Sequence, residues 1–269
     1  MRPPSAAEPA VLGVSRETQI DLLLEALAAE PDPHTTVSDP ARARDVHVAD
    51  SRSGLEVEDL VRAKRIADLG AGAGFPGLVL AIDLPTARVD LVEPMRRKAA
   101  VIDRLIQAAQ VGNARSVVAR AEDWARLAPA LGGGREACDA VTARAVASLP
   151  VLVEYAAPLL RLSGVLVAWK GACDADERRL GRGAADEVGM SLEDVLSVEP
   201  FPGARDRHLY VYRKVAPTPE RFPRRAGMAA KRPLGGPQGG RGDPGRGGVL
   251  HVRRPWVNKR DGPTRYCPS

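Results

Sequence analysis

The residues with the clearest chemical purpose form a glycine-rich loop. A short apolar strand, predicted over residues 65–69, runs into Asp68-Leu69-Gly70-Ala71-Gly72-Ala73-Gly74-Phe75-Pro76-Gly77. Glycine lets a backbone turn tightly and approach a ligand closely. Glu93 ends the next predicted strand, where a carboxylate can accept hydrogen bonds from both hydroxyls of a ribose. The spacing therefore predicts a cofactor that contains a nucleoside.

Two classes of cofactor fit this loop. Residues 72–77 satisfy G-x-G-x-x-G, the pattern of dinucleotide-binding enzymes, which is weak evidence by itself. The acid two residues before the first glycine instead completes acid-x-G-x-G-x-G, a pattern typical of class I methyltransferases that use S-adenosylmethionine. We favour the second class, with an NAD enzyme or a purely structural loop as alternatives. The predicted cofactor ligands in this part of the chain are Asp68, Gly70, Gly72, Gly74, Phe75 and Glu93.

A further cofactor element is predicted after the third strand, at Arg120-Ala121-Glu122-Asp123-Trp124. In a doubly wound sheet this loop lies at the carboxyl edge, beside the adenine of the cofactor. The backbone amides of Ala121 and Glu122, or the Glu122 carboxylate, can hydrogen-bond an adenine edge. Alternatively, the acids only cap the helix that begins near Trp124.

Strands alternate with helices over most of the chain. The predicted strands are residues 65–69, 88–92, 116–119, 139–142, 164–169, 195–199 and 208–214, and the predicted helices between them are 75–82, 96–110, 149–160 and 174–188. This alternation predicts an α/β fold with a mostly parallel, doubly wound, seven-stranded sheet. Together with the glycine loop it indicates a Rossmann-like class I methyltransferase fold. The last two strands lack a full helix between them, which predicts an antiparallel hairpin at one edge.

The domain organisation follows from composition and periodicity. We predict a flexible leader at 1–15, a helical cap at 16–60, the S-adenosylmethionine-binding domain at 61–215, a basic closing segment at 216–234 and a disordered Gly/Arg/Pro-rich tail at 235–269. The cap begins with a helix over 17–30, and a second short helix is predicted over 41–50. The tail holds too few apolar residues to offset its ordering entropy.

Charge is unevenly distributed in this chain of 269 residues. Its net charge is +5, but the part from Val215 onward holds 12 basic and 3 acidic residues, while the preceding part carries −4. A basic tail on a mildly acidic body indicates either a polyanionic partner or a solvated tail. Three widely spaced cysteines argue against a disulfide framework and a zinc site, and we predict no metal. No stretch approaches 18 apolar residues, so we predict a cytoplasmic protein without a membrane segment.

Several segments together resemble one family, the bacterial 16S ribosomal RNA guanine-N7 methyltransferases, once called glucose-inhibited division protein B. The matching pieces are His47-Val48-Ala49-Asp50-Ser51, the glycine loop, Arg120-Ala121-Glu122-Asp123, Thr142-Ala143-Arg144-Ala145-Val146-Ala147-Ser148-Leu149, Trp169-Lys170-Gly171 and Arg207-His208-Leu209. They occur in the family's order over roughly residues 17–234. The acid after the second strand is often Asp in the family and is Glu93 here, and the Gly/Arg-rich extension is longer than the family needs.

The resemblance implies methyl transfer from S-adenosylmethionine to N7 of a guanine in 16S ribosomal RNA. Guanine N7 carries an unprotonated lone pair, so the reaction needs orientation more than a general base. The resemblance assigns Arg144 and Lys170 to catalysis, with Arg144 also at the cofactor. It places His47, Asp50, Arg120 and Lys170 at the RNA substrate. The alternatives are a surface ion pair for Arg144, a snorkelling lysine at 170 and a structural histidine at 47.

The implied partner is 16S ribosomal RNA or the 30S subunit, bound by a monomer. A class I methyltransferase that acts on a small molecule or a protein is the main alternative. Residues 142–145 lack the Asn or Asp motif of amino-methylating enzymes, which fits a target that needs no deprotonation. A non-catalytic RNA-binding protein is a third possibility, and the complete set of cofactor residues argues against it.

Overall fold

A computed structural model describes residues 14–236, and all of these fall in one compact unit. Its centre is a seven-stranded sheet in the order β3-β2-β1-β4-β5-β7-β6. The strands are β1 (Arg65–Leu69), β2 (Arg88–Val92), β3 (Ala114–Val117), β4 (Cys138–Arg144), β5 (Leu160–Lys170), β6 (Met190–Val198) and β7 (Arg207–Lys214). The first five are parallel, and β7 runs antiparallel to both β5 and β6. The predicted fold class, including the antiparallel pair at one edge, is confirmed.

Helices cover both faces of this sheet. They are α1 (Arg16–Ala29), α2 (Pro40–Ala43), α3 (Asp50–Arg52), α4 (Glu58–Arg62), α5 (Gly77–Asp83), α6 (Arg96–Ala108), α7 (Ala121–Trp124), α8 (Leu149–Ala156), α9 (Ala175–Val188) and α10 (Met228–Lys231). Alternate residues of a strand point to opposite faces. In β5, Val165 and Val167 therefore pack in a core with α1, α5 and α6, whereas Leu166 and Ala168 pack in a second core with α8 and α9.

The N-terminal helices pack against the sheet domain through the first of these cores. Ser15 caps α1 by accepting a hydrogen bond from the Thr18 amide. The buried face of α1 consists of Ile20, Leu23, Leu24 and Leu27, which share the core of α5 and α6. The chain therefore brings its N-terminal helices to the same face of the sheet as the helices that flank the glycine loop.

The short helix predicted over 41–50 is broken into three parts. After α2 the chain forms a π-helical stretch, Arg44–Ala49, before α3 begins at Asp50. The amide of Asp50 hydrogen-bonds the carbonyl of Asp45, five residues back. Wide turns of this kind are rare overall, and those that occur are often found at functional sites. Here the wide turn holds His47, which is buried.

The predicted bounds of some elements were wrong because long-range pairing extends the strands. β5 begins at Leu160 rather than 164, and its register against β4 shifts between Cys138 and Ala140. The extension takes up the end of the helix predicted to reach residue 160, which ends at Ala156. β6 begins at Met190 rather than 195, with its polar residues held by pairing with β7.

Residues 1–13 and 237–269 lie outside the described residues, and with them most of the predicted leader and most of the predicted tail. Within residues 14–236, no helix is long and apolar enough to cross a membrane, and no cluster of side chains has the composition of a metal site.

Candidate cofactor and substrate site

The glycine loop joins β1 to α5 at the carboxyl edge of the sheet. Gly70, Gly72 and Gly74 have φ angles of 61°, 56° and 94°, which residues with a Cβ rarely adopt. The amides of Gly70 and Ala71 both donate to the carbonyl of Val92, at 2.9 and 3.3 Å. The loop is therefore folded back over the end of β2. A Cβ on Gly70 would lie 2.8 Å from Cγ2 of Val146, so the segment after β4 closes over this loop.

Asp68 lies beneath the loop and is fully buried. Its Oδ2 accepts the Gly77 amide at 3.0 Å, and its Oδ1 accepts the Thr142 hydroxyl at 2.8 Å. Burial raises the pKa of Asp68 to about 7, and these two hydrogen bonds oppose that rise. The carboxyl group thus ties the start of α5 to β4 from below. It positions the loop and does not line the cavity above it.

Glu93 holds the loop from the end of β2. Its Oε2 accepts the Gly72 amide at 3.1 Å, and its Oε1 accepts the Met95 amide at 2.9 Å. The side chain is 4% exposed. A carboxylate offers about four acceptor sites. The loop contacts use two, so Glu93 retains capacity for the ribose hydroxyls predicted from the sequence.

A cavity of about 280 Å³ lies over the loop. The residues that line it are Gly70, Ala71, Gly72, Ala73 and Phe75 of the loop, His34, Thr35 and His47 of the N-terminal segment, Lys98 of α6, and Arg144 and Ala145 at the end of β4. We call it the loop cavity. It is open enough to admit a ligand and has a backbone wall of the kind that binds nucleoside cofactors.

Arg144 is the last residue of β4 and connects the sheet to the N-terminal segment. Its Nη1 donates to Asp50 Oδ2 at 2.8 Å and to the Val46 carbonyl at 3.2 Å. Its Nη2 lies 3.2 Å from Nδ1 of His47. The His47 ring stacks on Phe75, with ring centroids 4.6 Å apart and an angle of 15° between the planes. The guanidinium fork is therefore held by three acceptors at the mouth of the loop cavity.

The contacts of His47 define its protonation. Nε2 lies 2.9 Å from the Val37 carbonyl, an obligate acceptor, so Nε2 carries the proton and Nδ1 accepts from Arg144. Burial, and then the adjacent Arg144 charge, lower the pKa of His47 to about 4. The histidine is neutral at pH 7, and both ring nitrogens are engaged within the fold.

A second cavity, of about 140 Å³, adjoins the first. Its lining residues are Asp50, Arg144, Ala145, Trp169, Lys170, Gly171, Val198, Arg207 and His208. We call it the basic cavity. Arg144 and Ala145 line both cavities, so the end of β4 is their common wall.

Two residues at the end of β5 shape the basic cavity. The Trp169 indole donates to the Asp50 carbonyl at 2.8 Å, which fixes the start of α3 against the sheet. The Lys170 ammonium pairs with Glu177 at 2.8 Å and donates to the Ala147 carbonyl at 3.2 Å. An ammonium has three donors, so one remains for a ligand in the cavity.

The predicted adenine loop is held by the C-terminal segment. Glu122 is buried, and its Oε1 accepts the Gly227 amide at 2.8 Å. Arg120 is exposed and precedes α7 as its capping residue. Arg120, Ala121 and Glu122 line neither cavity. The structure therefore leaves these three predicted residues outside both cavities.

Residues 33–209 match the model of the family described as rRNA small subunit methyltransferase G. The chain belongs to this family. It is 46% identical over 193 residues to the Ribosomal RNA small subunit methyltransferase G of Rubrobacter xylanophilus, covering 71% of this chain and 72% of the relative. It is 38% identical over 200 residues to the protein of the same name from Desulfitobacterium hafniense, covering 74% and 81%.

The fold is shared with solved structures of low sequence identity. One is described as cofactor-bound Rv0187 from MTB, with a TM-score of 0.52 at 21% identity, covering 77% of this chain and 94% of the other. Such a likeness supports the fold alone. Membership of the rRNA small subunit methyltransferase G family confirms the predicted family and the assignment as a methyltransferase that uses S-adenosylmethionine.

The structure brings together most of the predicted site residues of this family member. Gly70, Gly72 and Phe75 line the loop cavity, Asp50 and Lys170 line the basic cavity, His47 contacts the first and Arg144 contacts both. Gly74 belongs to the loop but lines neither cavity, and Asp68 and Glu93 support the loop by accepting its amides. The roles assigned to these residues stay predictions.

Sequence analysis left one lining residue undecided and missed others. Lys98 stands in a basic run at the start of α6 that fits a solvated helix face as well as a phosphate contact. His208 has no role that its sequence context predicts, although Arg207-His208-Leu209 is one of the matching pieces. His34 and Thr35 stand in a proline-rich connector that carries no pattern, and only the fold shows that they reach the loop cavity.

Proposed function

We propose that this protein transfers the methyl group of S-adenosylmethionine to N7 of a guanine in the 16S RNA of the small ribosomal subunit. The observation that carries the proposal is the pair of adjoining cavities that share Arg144 and Ala145. One is built from a glycine loop, and the other is lined by three basic side chains, Arg144, Lys170 and Arg207. This arrangement suits a nucleoside cofactor beside a nucleotide of a polyanion.

The loop cavity fits the cofactor. When bound, S-adenosylmethionine supplies an electrophilic methyl group on a sulfonium. The backbone of Gly70 and Gly72 would contact it closely, and Glu93 would accept from its ribose. Asp68 keeps the loop in place from below through Gly77 and Thr142. The side chains of Phe75 and Arg144 would bound the cofactor on the side of the substrate.

The chemistry of guanine N7 matches the groups at the common wall. N7 is a nucleophile at neutral pH, so the protein must orient the base and exclude water rather than remove a proton. Arg144 uses three of its donors within the fold, and both nitrogens of His47 have partners there. Lys170 has a donor left for a phosphate or for O6 of the base. These residues position and stabilise, as an orientation mechanism requires.

We propose that the basic closing segment, residues 216–234, contacts the RNA backbone. Arg224 is paired with the buried Glu154, so its charge is already used. Arg221, Arg225, Lys231 and Arg232 remain exposed on this segment. Binding through such charges weakens steeply with salt because each neutralised phosphate releases counterions. The predicted boundaries at residues 15, 60, 215 and 234 belong to this proposal, as do a monomeric state and a cytoplasmic location.

The test is transfer of labelled methyl from S-adenosylmethionine to 30S subunits from a bacterial strain that lacks the family's enzyme. Borohydride reduction and aniline cleavage then report N7-methylguanosine in the RNA. The proposal expects label on 16S RNA and one new cleavage site. Label on 16S RNA without cleavage would overturn N7 as the acceptor atom. Cofactor binding with no label on any ribosomal RNA would favour a small-molecule or protein substrate instead.

A further inference from the structure

Two buried polar atoms of the basic cavity stand out because they have no hydrogen-bond partner among the described residues. They are Oδ1 of Asp50 and Nδ1 of His208. Asp50 is 5% exposed, and both residues line the basic cavity. A buried polar atom without a partner costs about 1–3 kcal/mol. Two such atoms in one cavity indicate a built site for a ligand with matching polar groups.

The position of Asp50 is fixed by its other contacts. Its Oδ2 accepts Nη1 of Arg144 at 2.8 Å, and its carbonyl accepts the Trp169 indole at 2.8 Å. Because one carboxylate oxygen is committed to a guanidinium, the carboxylate cannot turn to satisfy the other within the fold. Oδ1 is thus a fixed acceptor without a partner on a residue that lines the basic cavity, and it favours a ligand with an N–H or O–H donor.

Guanine carries donors that suit this acceptor. Its Watson–Crick edge offers N1–H and the N2 amino group, with O6 as an acceptor beside them. The same edge of adenine presents the N1 lone pair, which a carboxylate repels. Lys170 lines the same cavity and has a free donor for O6. N7 lies on the opposite edge of the base, so a guanine held by N1 and N2 in the basic cavity can present N7 to the common wall at Arg144.

Resting on the proposed function, we infer that Asp50 is the residue that selects guanine over adenine, by accepting hydrogen bonds from N1–H and the N2 amino group through Oδ1. His208 lies across from it on β7, paired in register with Lys170. Its unpartnered Nδ1 gives the base or its ribose a second polar contact. The volume of about 140 Å³ is half that of the loop cavity, which suits a single base rather than a whole nucleoside cofactor.

The diagnostic variant is Asp50→Asn. Arg144 requires an acceptor at the Oδ2 position, so the amide oxygen settles there and the amide NH₂ takes the place of Oδ1. A donor then faces the donors of guanine. The matched control is Asp45→Asn, the same substitution on an exposed residue of the same helical stretch. Thermal melting and the dissociation constant for S-adenosylmethionine report whether each variant is folded and binds cofactor.

The substrate series uses 30S subunits reconstituted with synthetic 16S RNA whose target guanine is kept, or replaced by inosine or 2-aminopurine. Inosine lacks the N2 amino group, and 2-aminopurine lacks N1–H and O6. For the wild type we expect kcat/KM to fall about 10- to 100-fold with at least one analogue, the usual effect of removing a charge-assisted hydrogen bond. Asp50→Asn should lower kcat/KM on guanine by a similar factor. Replacing guanine with that analogue should then cause no further loss in this variant. Asp45→Asn should behave like the wild type on every substrate.

The outcomes separate this inference from the proposed function. Equal wild-type rates on all three bases would overturn it, since no edge donor would then be read. The inference would also be overturned if Asp50→Asn lost as much kcat/KM on the analogue, relative to guanine, as the wild type does. Another group would then be reading the base edge. If the guanine substrate is not methylated by the wild type, the proposed function fails and the inference with it. If Asp50→Asn melts too early to assay, Asp50→Glu, which keeps the charge but displaces the carboxylate, takes its place in the same series.

Discussion

Arg144 joins two parts of the chain that are far apart in sequence. Its guanidinium donates to Asp50, to the carbonyl of Val46 and to His47, all about a hundred residues earlier. A guanidinium presents five donors in a rigid planar fork, whereas an ammonium is a compact point charge. The charge alone is therefore insufficient at this position, because three acceptors at set directions depend on the geometry of the fork.

Arg144→Lys should lower kcat/KM for methyl transfer by about 10- to 100-fold, which corresponds to roughly 1.4–2.8 kcal/mol of interaction. The lysine keeps the charge, but its single ammonium cannot reach all three acceptors. Arg97→Lys on the exposed start of α6 is the matched control and should stay within about twofold of the wild type, as surface substitutions usually do. Unchanged kinetics in Arg144→Lys would mean that only the charge matters here.

His47 should make the stability of the protein depend on pH. Its pKa is about 4 in the folded state, against 6.5 for an ordinary histidine. Between these values the unfolded chain takes up a proton that the folded chain does not, so this group's contribution to stability is full above about pH 6.5 and is lost as pH falls toward 4. The raised pKa of Asp68 has the opposite effect. Its contribution to folding stability is full below about pH 4 and is lost as pH rises toward 7.

The His47 contribution is isolated by comparing wild type with His47→Gln, since both keep Asp68. Urea unfolding at a series of pH values should show the wild type losing stability relative to the variant as pH falls from 6.5 to about 4. At pH values above this window the difference should be constant, which serves as the internal control. A difference that does not change with pH would show that the folded histidine titrates normally.

Among the elements, the junction of the glycine loop with α5 leaves no room for a side chain. A Cβ on Gly77 would lie 2.8 Å from Asp68 Oδ2 and 2.9 Å from Leu91 Cδ2. Gly77→Ala should therefore destabilise the protein by about 1–3 kcal/mol and weaken S-adenosylmethionine binding, because the carboxylate that supports the loop must move. Gly112→Ala, at a position where a Cβ meets nothing within 4 Å, is the control. Equal melting temperatures for the two variants would contradict the close packing at Gly77.

The C-terminal segment is anchored by a buried charge. Glu154 on α8 is 1% exposed, and the Arg224 guanidinium donates to both of its oxygens, with Nε 2.8 Å from Oε1. Arg224→Met should cost about 3–5 kcal/mol, because it leaves a buried carboxylate unpaired. Arg225→Met, one residue later and exposed, should be nearly neutral. Chemical denaturation measures both, and similar stabilities would show that Glu154 finds another partner.

The same segment also contacts the loop after β3. The Gly227 amide donates to Glu122, and burial raises the pKa of Tyr155 to about 12, with the nearby Glu122 charge adding to that rise. The loop after β3 is thereby linked to the segment that carries the exposed arginines. The closing segment thus supports the predicted adenine loop and also carries the exposed basic side chains proposed to contact RNA.

For the whole molecule, the dominant feature is the separation of charge between the body and the C-terminal part. Residues 237–269 alone contain seven basic and two acidic residues. Deleting them should leave S-adenosylmethionine binding unchanged and should weaken RNA binding. The slope of log affinity against log salt should become less steep by about 0.7–0.9 for each phosphate that the tail no longer neutralises. The measurement is filter binding of 16S RNA between about 50 and 200 mM salt, the range in which such slopes are read.

A full-length variant with the seven basic residues of this tail replaced by glutamine separates charge from chain length. It should match the deletion in both affinity and salt slope. A deletion that binds RNA as the wild type does would assign the RNA contacts to the described part of the chain instead.

Local patterns in the chain were enough to establish the class of this protein. The acid and glycines of residues 68–77, the alternation of strands and helices, and the ordered family pieces are readable without any knowledge of contacts. They predicted the sheet, its antiparallel edge, the family and the cofactor. Most predicted site residues also lie at the two cavities, because the carboxyl ends of parallel strands meet at one edge.

The pairing of the polar groups, in contrast, emerged only from the folded arrangement. Asp68 and Glu93, which were predicted to contact the ligand, accept hydrogen bonds from loop amides. Glu122 accepts the Gly227 amide, 105 residues away. Asp50 meets Arg144 across 94 residues, and its other carboxylate oxygen is left buried without a partner. Such pairings depend on long-range packing, which no local pattern encodes. The unpartnered oxygen of Asp50 therefore depends on the packing of the N-terminal helices against the sheet.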